Sequence, residues 1–407
     1  MPTRPIVIEV FGLIMNGINR RNFLTYTATS GLSLTAQFSL ISAMSLTACS
    51  TTHINQDRAI ISGYSHTDIS GKRLKEYGVL AIQAKNKTQH SRYSYVIVSD
   101  FSVPHEVHLA TLFPDQKSIL VCSRKPGASL LKYSLTGKLL AKLKPLENQH
   151  FEGHGIFSSD EKYLYVTASD FLQGKGKLLK LNSNDLSLVE QFDTQGIGPH
   201  ELVWQNDEHI AIANTGVLTH PDSGRKILNP DSIQSNIVLF NVQDYKIHYE
   251  WKVPQLGLSA RHLDRMDDGS LVIGCQYKKQ DKRPACIAFA NMTQGLVFAD
   301  TDNDSLHWDM QGYSASIKAI PNSNQALISN PRGHLLTQWY EKNEKTQQLI
   351  EQKKIKYNKG IKIHPQGEKA WVSQGAGQLL SWDIENRSLE GESIKIKDNI
   401  WWGNHLG

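Results

Sequence analysis

Short segments of alternating apolar and polar residues, separated by polar turns, recur along most of the chain. Each unit starts with an apolar strand, passes through a turn rich in Asp, Asn or Gly, and returns through a second strand. This alternation predicts β-strands, and no segment after the first 50 residues shows a convincing amphipathic helix. Six units are clear, and they begin at His108, His154, His200, His262, Ser316 and Gly360.

A seventh unit is represented by a strand at residues 78–83, which we interpret as its second strand. The seven second strands are then centred on Ile82, Val121, Val166, Ile212, Ile273, Ile328 and Val372. Each unit continues into two further alternating segments, such as 236–242 and 246–253. Four strands in each of seven similar units predict an all-β, seven-bladed β-propeller, which we expect to span residues 71–407.

The two ends of the chain suggest how the ring closes. Nothing before residue 78 reads as an innermost strand for the first blade. Residues 404–406 read Asn-His-Leu, which resembles the starts of other innermost strands at 261–263 and 199–202. We therefore expect the C-terminal segment to supply the inner strand of the first blade, which removes the free edge of an open ring.

The N-terminal region has the pattern of an export signal. Residues 22–50 carry no charged side chain and follow directly on Arg20 and Arg21. Residues 19–24 resemble a twin-arginine signal, and residues 46–49 resemble a bacterial lipobox. These patterns predict that residues 1–48 are a signal segment and that Cys49 is lipidated. The alternatives are a short transmembrane anchor and a start site at Met15.

Export and lipidation together predict a location. Residues 49–70 would form a tether, and a lipid on Cys49 would hold the folded domain to a membrane surface. Ser50, rather than Asp, follows the cysteine. We therefore expect the protein in the periplasm, anchored to the outer membrane.

Composition excludes several classes of protein. The 407 residues include 44 Lys and Arg against 39 Asp and Glu, and 40% of them are hydrophobic, which fits a globular protein rather than a disordered or fibrous one. No dense block of basic residues occurs, so nucleic-acid binding is not expected. The four cysteines form no zinc-type pair, although Cys275 and Cys286 flank a loop and could form a disulfide.

Histidines recur at one position of the repeat. His108, His154, His200 and His262 all stand at the start of an inner strand, and His405 is a fifth candidate. Antiparallel strand order places them on the same face of the disc as the loops that follow the second strands. Those loops carry polar residues that we predict to bind a ligand, namely His220, Asp222, Arg225, Asn229 and Arg332.

Three roles for these histidines remain open. They could close blade junctions through hydrogen bonds without any ligand. They could bind a transition metal, with iron, copper and zinc as candidates, because imidazole is the commonest protein ligand of such ions. They could also belong to a catalytic group formed by His200, Glu201, Arg225, His262 and Arg332.

Several short motifs together resemble a bacterial family catalogued as domain of unknown function 1513. They are Gly153-His154-Gly155, Gly196-Ile197-Gly198-Pro199-His200-Glu201-Leu202, Thr219-His220-Pro221-Asp222-Ser223-Gly224-Arg225, Arg261-His262-Leu263, Gly274-Cys275-Gln276, Asn330-Pro331-Arg332-Gly333 and Asn404-His405-Leu406. The resemblance implies a twin-arginine-exported, seven-bladed propeller, often encoded near imelysin-type periplasmic iron proteins, with no established reaction. The sequence departs from the family pattern where Glu or Gln follows Asp115, Asp160 and Asp207.

Two functions of different classes follow. The first is a monomeric, non-enzymatic accessory lipoprotein of iron acquisition, with imelysin-type periplasmic proteins as expected partners. The alternative is a lactonase-like hydrolase, since residues 198–200 and 261–262 resemble channel-facing segments of lactonase-type propellers. A protein-interaction platform, with neither metal nor turnover, is the third possibility.

Overall fold

A computed structural model describes residues 54, 59–84, 95–279, 281–299, 304–342, 346–391 and 393–407. The predicted signal segment and Cys49 lie outside these residues. Within them the chain forms seven antiparallel sheets, and the predicted seven-bladed β-propeller is confirmed. No helix of the described residues has the length and apolarity needed to cross a membrane.

Each blade runs from an inner strand at the axis to an outer strand at the rim. Blade 1 contains β1 (Ala59–Thr67), β2 (Arg73–Ala84) and β3 (Tyr95–Val103). Blade 2 contains β4 (Val107–Leu112), β5 (Ser118–Ser123), β6 (Leu130–Ser134) and β7 (Leu139–Leu143). Blade 3 contains β8 (Gln149–Phe157), β9 (Tyr163–Asp170), β10 (Lys175–Asn182) and β11 (Leu188–Asp193). Blade 4 contains β12 (Pro199–Trp204), β13 (His209–Asn214), β14 (Asn236–Asn241) and β15 (Ile247–Lys252).

The other three blades follow the same order. Blade 5 contains β16 (Leu258–Arg265), β17 (Leu271–Tyr277), β18 (Ile287–Asn291) and β19 (Gly295–Phe298). Blade 6 contains β20 (Ile317–Ile320), β21 (Gln325–Asn330), β22 (Leu335–Lys342) and β23 (Thr346–Lys354). Blade 7 contains β24 (Asn358–Ile363), β25 (Lys369–Gln374), β26 (Gln378–Asp383) and a divided outer strand, β27 (Ser388–Leu389) with β28 (Ile394–Lys395). A 3₁₀ turn at Pro221–Ser223 and a short helix α1 (Asp304–Asp309) lie in connections between strands.

The C-terminal strand β29 (Ile400–Trp402) closes the ring, as predicted. It pairs with β1, and the order in blade 1 is β29-β1-β2-β3. Beyond β29 the chain continues alongside β1. The amide of Gly403 donates a hydrogen bond to the Gly63 carbonyl, and the amide of Gly407 donates one to the Ile61 carbonyl. The last residues therefore complete the inner strand of blade 1.

Two details of the first blade were predicted wrongly. The propeller begins at Ala59 rather than at residue 71, because residues assigned to the tether form β1. Residues 78–83 belong to β2, the third strand of the blade and not its second. The error arises because the inner strand comes from the far end of the chain, so the blade's first strand in sequence is already its second in space.

Burial explains why the second strands are so apolar. All six residues of β5 are buried, as are all seven of β17, because both faces of these strands contact neighbouring blades. Five of the six residues of β11, on the rim, are exposed. The core is thus a set of apolar layers between adjacent sheets. Cys122, Cys275 and Cys286 are buried in it as free thiols, so Cys275 and Cys286 do not pair.

Candidate functional site

Irregular pairing in the inner strands turns side chains towards the propeller axis. The register between the first and second strand of a blade shifts between Val107 and Leu109, Phe151 and Gly155, Pro199 and Leu202, Ala260 and His262, and Asn358 and Ile361. An unpaired residue in a β-ladder bends the strand and redirects the neighbouring side chains. Four of these shifts occur at or beside the repeated histidines.

The five predicted histidines meet on the axis. They come from blades 1 to 5, and none is more than 6% exposed; they are His108, His154, His200, His262 and His405. Ring centroids in nine of their pairs lie 4.6 to 6.5 Å apart. The His108 Nε2 atom is 2.9 Å from Nε2 of His154 and 3.2 Å from Nε2 of His200.

Close packing of these rings requires a glycine at position 153. Gly153 has φ 105°, and a Cβ atom there would stand 2.6 Å from Cδ2 of His108. That separation is too short for two carbon atoms, so a larger residue would push the His108 ring aside. The absence of a side chain at position 153 therefore lets the His108 ring pack against the backbone between Glu152 and His154.

Two carboxylates lie beside the imidazoles, and one of them forms a hydrogen bond with a ring. His262 Nδ1 donates a hydrogen bond of 2.8 Å to Glu201, and His154 Nδ1 lies 3.7 Å from the same carboxylate. Glu152 is fully buried, lies 3.9 Å from His200 Nδ1, and accepts a hydrogen bond from Ser169. The hydrogen bond to Glu201 fixes the tautomer of His262 and leaves its Nε2 atom with a lone pair, as behind many metal-bound histidines.

Burial lowers the pKa of four of the five axial histidines and keeps them neutral. Loss of water lowers the pKa of His108, His200 and His405 well below 6.5, and the neighbouring imidazoles lower it further. Burial lowers the pKa of His154 to about 4, although Glu201 opposes this shift. Burial alone would raise the pKa of Glu201, but His154 and the hydrogen bond from His262 outweigh it, and the pKa falls to about 2. Neutral rings beside an ionised carboxylate are the protonation states that metal binding requires.

The donor atoms fit a metal ion. Three overlapping groups each have their ligand atoms within 4.8 Å of one another: His108 with His154 and His405, His154 with His200 and His262, and Glu201 with His262 and His405. The Nε2 atom of His405 is buried without a hydrogen-bond partner among the described residues. The Nε2 atom of His108 carries at most one proton, so it can donate a hydrogen bond to only one of its two Nε2 neighbours. Hydrogen bonds among the five rings therefore do not satisfy every ring nitrogen.

A cavity of about 300 Å³ lies against this cluster. Its walls come mainly from the loops that follow second strands, so the prediction that these loops share a face with the histidines is confirmed. Four residues predicted for the site line it: His108, His200, Arg225 and Arg332. The others are Arg124, Lys125, Val217, Thr219, Ile227, Arg261, Gln276, Lys278, Tyr313 and Asn404.

The remaining predicted ligand-binding residues have other contacts. Asn229 accepts from the Leu218 amide and donates to the Gly216 carbonyl, both at 2.8 Å, so it holds its own loop together. His220 accepts from the amide of Asp222, whose side chain is 92% exposed. In the described part of the chain, these three residues are not part of the cavity wall.

The proposed catalytic group is divided between the cavity and the axis. His200, Arg225 and Arg332 line the cavity, whereas Glu201 and His262 bond to each other and, among the described residues, are not in its wall. Sequence reasoning missed Glu152 and the cations Arg124, Lys125 and Lys278, and it placed Arg261 only in a segment that resembles channel-facing segments. The alternation of His150, Glu152 and His154 along β8 was the signal that could have revealed Glu152.

Solved structures share this fold at low identity. The periplasmic gluconolactonase of Pseudomonas aeruginosa is 13% identical, with a TM-score of 0.57 over 86% of this chain and 98% of that one. A protein from Lactobacillus plantarum is 13% identical, with a TM-score of 0.56 over 86% and 98%. A provisionally assigned 6-phosphogluconolactonase of Bacteroides fragilis is 14% identical, with a TM-score of 0.55 over 87% and 99%. Identities this low establish the propeller fold and no more.

Comparison with curated proteins finds no match. The sequence profile of the family described as "Protein of unknown function (DUF1513)" matches residues 101–407. The match covers blades 2 to 7, the ring-closing segment and all five axial histidines. The chain therefore belongs to the DUF1513 family, as its motifs indicated.

Proposed function

We propose that the protein binds a transition-metal ion through the histidines on the propeller axis. The observation that carries this proposal is the convergence of five buried histidines, four of them held neutral by burial, with nitrogen atoms 2.9 and 3.2 Å apart. Burying polar rings against one another is unfavourable unless their lone pairs find a partner. A cation at the axis would supply that partner for several rings at once.

Iron is the first candidate ion. Imidazole nitrogen suits iron, copper, zinc and nickel, whereas a set of two histidines and one carboxylate is typical of non-haem iron sites. Glu201, His262 and His405 would form such a set if the Glu201 carboxylate exchanged its hydrogen bond from His262 for the ion. Copper and zinc remain the alternatives for the all-histidine groups.

Elemental analysis of the full-length exported protein tests the proposal. After dialysis we expect about one ion of iron, copper or zinc per chain. The variant His154→Gln/His262→Gln should lose it. A matched control, His209→Gln/His248→Gln, removes two histidines that contact each other on the rim, where adventitious ions would bind. Metal contents near zero, or equal losses in both variants, would contradict the proposal.

An accessory role in iron acquisition extends the proposal to the cell. It rests on the export pattern, on Cys49 and on the association of the family with imelysin-type iron proteins, which would be the partners. If Cys49 carries the lipid, Cys49→Ser should move the protein from the membrane fraction to the soluble periplasm. Unchanged membrane association would contradict lipid anchoring through Cys49.

Lactone hydrolysis is the second candidate. It is supported by the position of His200, Arg225 and Arg332 in one cavity, together with the fold shared with gluconolactonases. A panel of sugar lactones, assayed with the metal-loaded protein, tests it. Turnover that falls in Arg332→Gln would support lactone hydrolysis. The absence of turnover across the panel would contradict it.

A further inference from the structure

The cavity beside the histidines is strongly cationic. Six basic residues contribute to its wall, namely Arg124, Lys125, Arg225, Arg261, Lys278 and Arg332. Two of them have carboxylate partners, since Arg124 lies 2.9 Å from Glu106 and Lys125 lies 2.7 Å from Glu152. The other four form no ion pair with a carboxylate in the part of the chain that the structure describes.

These four cations act on one another. Burial lowers the pKa of Lys278 to about 8, and the charges of Arg261, Arg332, Lys125 and Arg225 add to that effect. Burial also lowers the pKa of Arg261, whose Nε atom has no hydrogen-bond partner among the described residues. Uncompensated charges of one sign in a concave site raise the local concentration of the opposite ion.

We propose that this cavity binds a small, multiply charged oxyanion through carboxylate or phosphate groups. Guanidinium groups suit both, because their paired N–H donors match two oxygens of either anion. Four unpaired cations favour a ligand with two or three negative charges over a monoanion. A volume of about 300 Å³ limits the ligand to a small molecule.

Neutral polar residues also line the cavity. Thr219, Gln276, Tyr313 and Asn404 line it beside the cations, so a bound anion could also form hydrogen bonds through hydroxyl or carbonyl groups. His108 and His200 belong both to the cavity wall and to the axial cluster. The ligand would therefore lie next to the proposed metal, although its recognition by the cations does not require the metal.

Calorimetric titration of the full-length, metal-free protein tests the inference. Citrate represents the carboxylate source and inorganic phosphate the phosphate source, and both are titrated at about 150 mM salt to screen non-specific attraction. We expect one saturable site for at least one of them. Binding of citrate alone assigns carboxylates, and binding of phosphate alone assigns phosphate groups.

Two charge variants and a control locate the site. Arg225→Gln and Arg332→Gln should each weaken binding roughly tenfold or more, because each removes a charge-assisted contact. Both residues are exposed, so their replacement should leave the fold intact. Arg265→Gln removes the same charge from the exposed last residue of β16. It should change the affinity less than about twofold.

Three outcomes would overturn the inference. They are no binding of either anion up to about 10 mM, an equal loss in Arg265→Gln, and unchanged affinity in both Arg225→Gln and Arg332→Gln. Because the titration uses metal-free protein, its failure is distinguishable from failure of the metal-binding proposal. Metal uptake is measured separately in buffer without citrate or phosphate.

Discussion

The Nδ1 atom of His262 donates a hydrogen bond of 2.8 Å to Glu201, which lies on the inner strand of the neighbouring blade. Glu201 also lies 3.7 Å from Nδ1 of His154, so its charge acts on rings from two other blades. Such a carboxylate raises the basicity of a metal-binding imidazole. Glu201 is therefore central to how the axial cluster would hold an ion.

Glu201→Gln should weaken metal binding about 10- to 100-fold, because it removes the charge behind His262 and His154. Competition against a chelator of known affinity measures the change. Glu190→Gln, at an exposed position of β11, removes the same charge from the rim and serves as the control. Equal affinities for Glu201→Gln and the unaltered protein would show that the carboxylate has no part in the site.

Gly153→Ala should disturb the cluster more than an alanine at another glycine of positive φ. The added methyl group would collide with His108, so we expect lower metal content and a loss of stability of about 1 kcal/mol or more. Gly174→Ala is the matched control, since Gly174 has φ 65° and nothing within 4 Å of the new Cβ. Thermal unfolding and metal analysis of both variants make the comparison. Equal behaviour would argue against close packing at His108.

Stability of the metal-free protein should fall in acid. The pKa of His108, His154, His200 and His405 is lower in the folded state than in the unfolded chain, so unfolding takes up protons below pH 6.5. Their contribution to stability is present above that pH. It is lost as the pH falls towards 4, the pKa of His154, by up to about 1.4 kcal/mol per pH unit for each histidine.

Urea unfolding between pH 7 and pH 4 measures this dependence. Replacing His154 with Gln should make the curve flatter, since one buried imidazole fewer then takes up protons. The rim variant His209→Gln/His248→Gln should keep the original slope. A free energy of unfolding that does not change with pH would show that the buried rings are not held neutral.

Ring closure should depend on Trp402. This side chain is 1% exposed and packs in the apolar layer with Trp371, Leu379 and Leu406. Trp402→Ala should lower the free energy of unfolding by about 3–5 kcal/mol. Trp308→Ala, at a position 57% exposed, should cost less than about 1 kcal/mol. An unchanged melting temperature in Trp402→Ala would contradict the closure.

The blade count and the histidine cluster could be predicted because both depend on the repeat. Five of the seven units carry a histidine at one position of the repeat, and these histidines converge when the units form a ring. Blade 1 was partly misread because its strands come from both ends of the chain, and β1 precedes the first clear unit.

The cavity could not be predicted from the same reasoning. No sequence pattern singled out Arg124, Lys125 and Lys278, and only the fold places them in one cavity with Arg261. Asn229 was predicted to bind a ligand, but its side-chain amide forms hydrogen bonds with the backbone of its own loop. Periodicity locates a position in the fold, whereas the partners of a side chain depend on three-dimensional contacts.

Anomalous diffraction from crystals of the metal-loaded protein would locate the ion. We expect a single peak on the propeller axis, about 2.0–2.3 Å from imidazole nitrogens of at least three of the five axial histidines. A peak only at the His209 and His248 pair on the rim, or no peak at the axis, would contradict metal binding by the axial histidines.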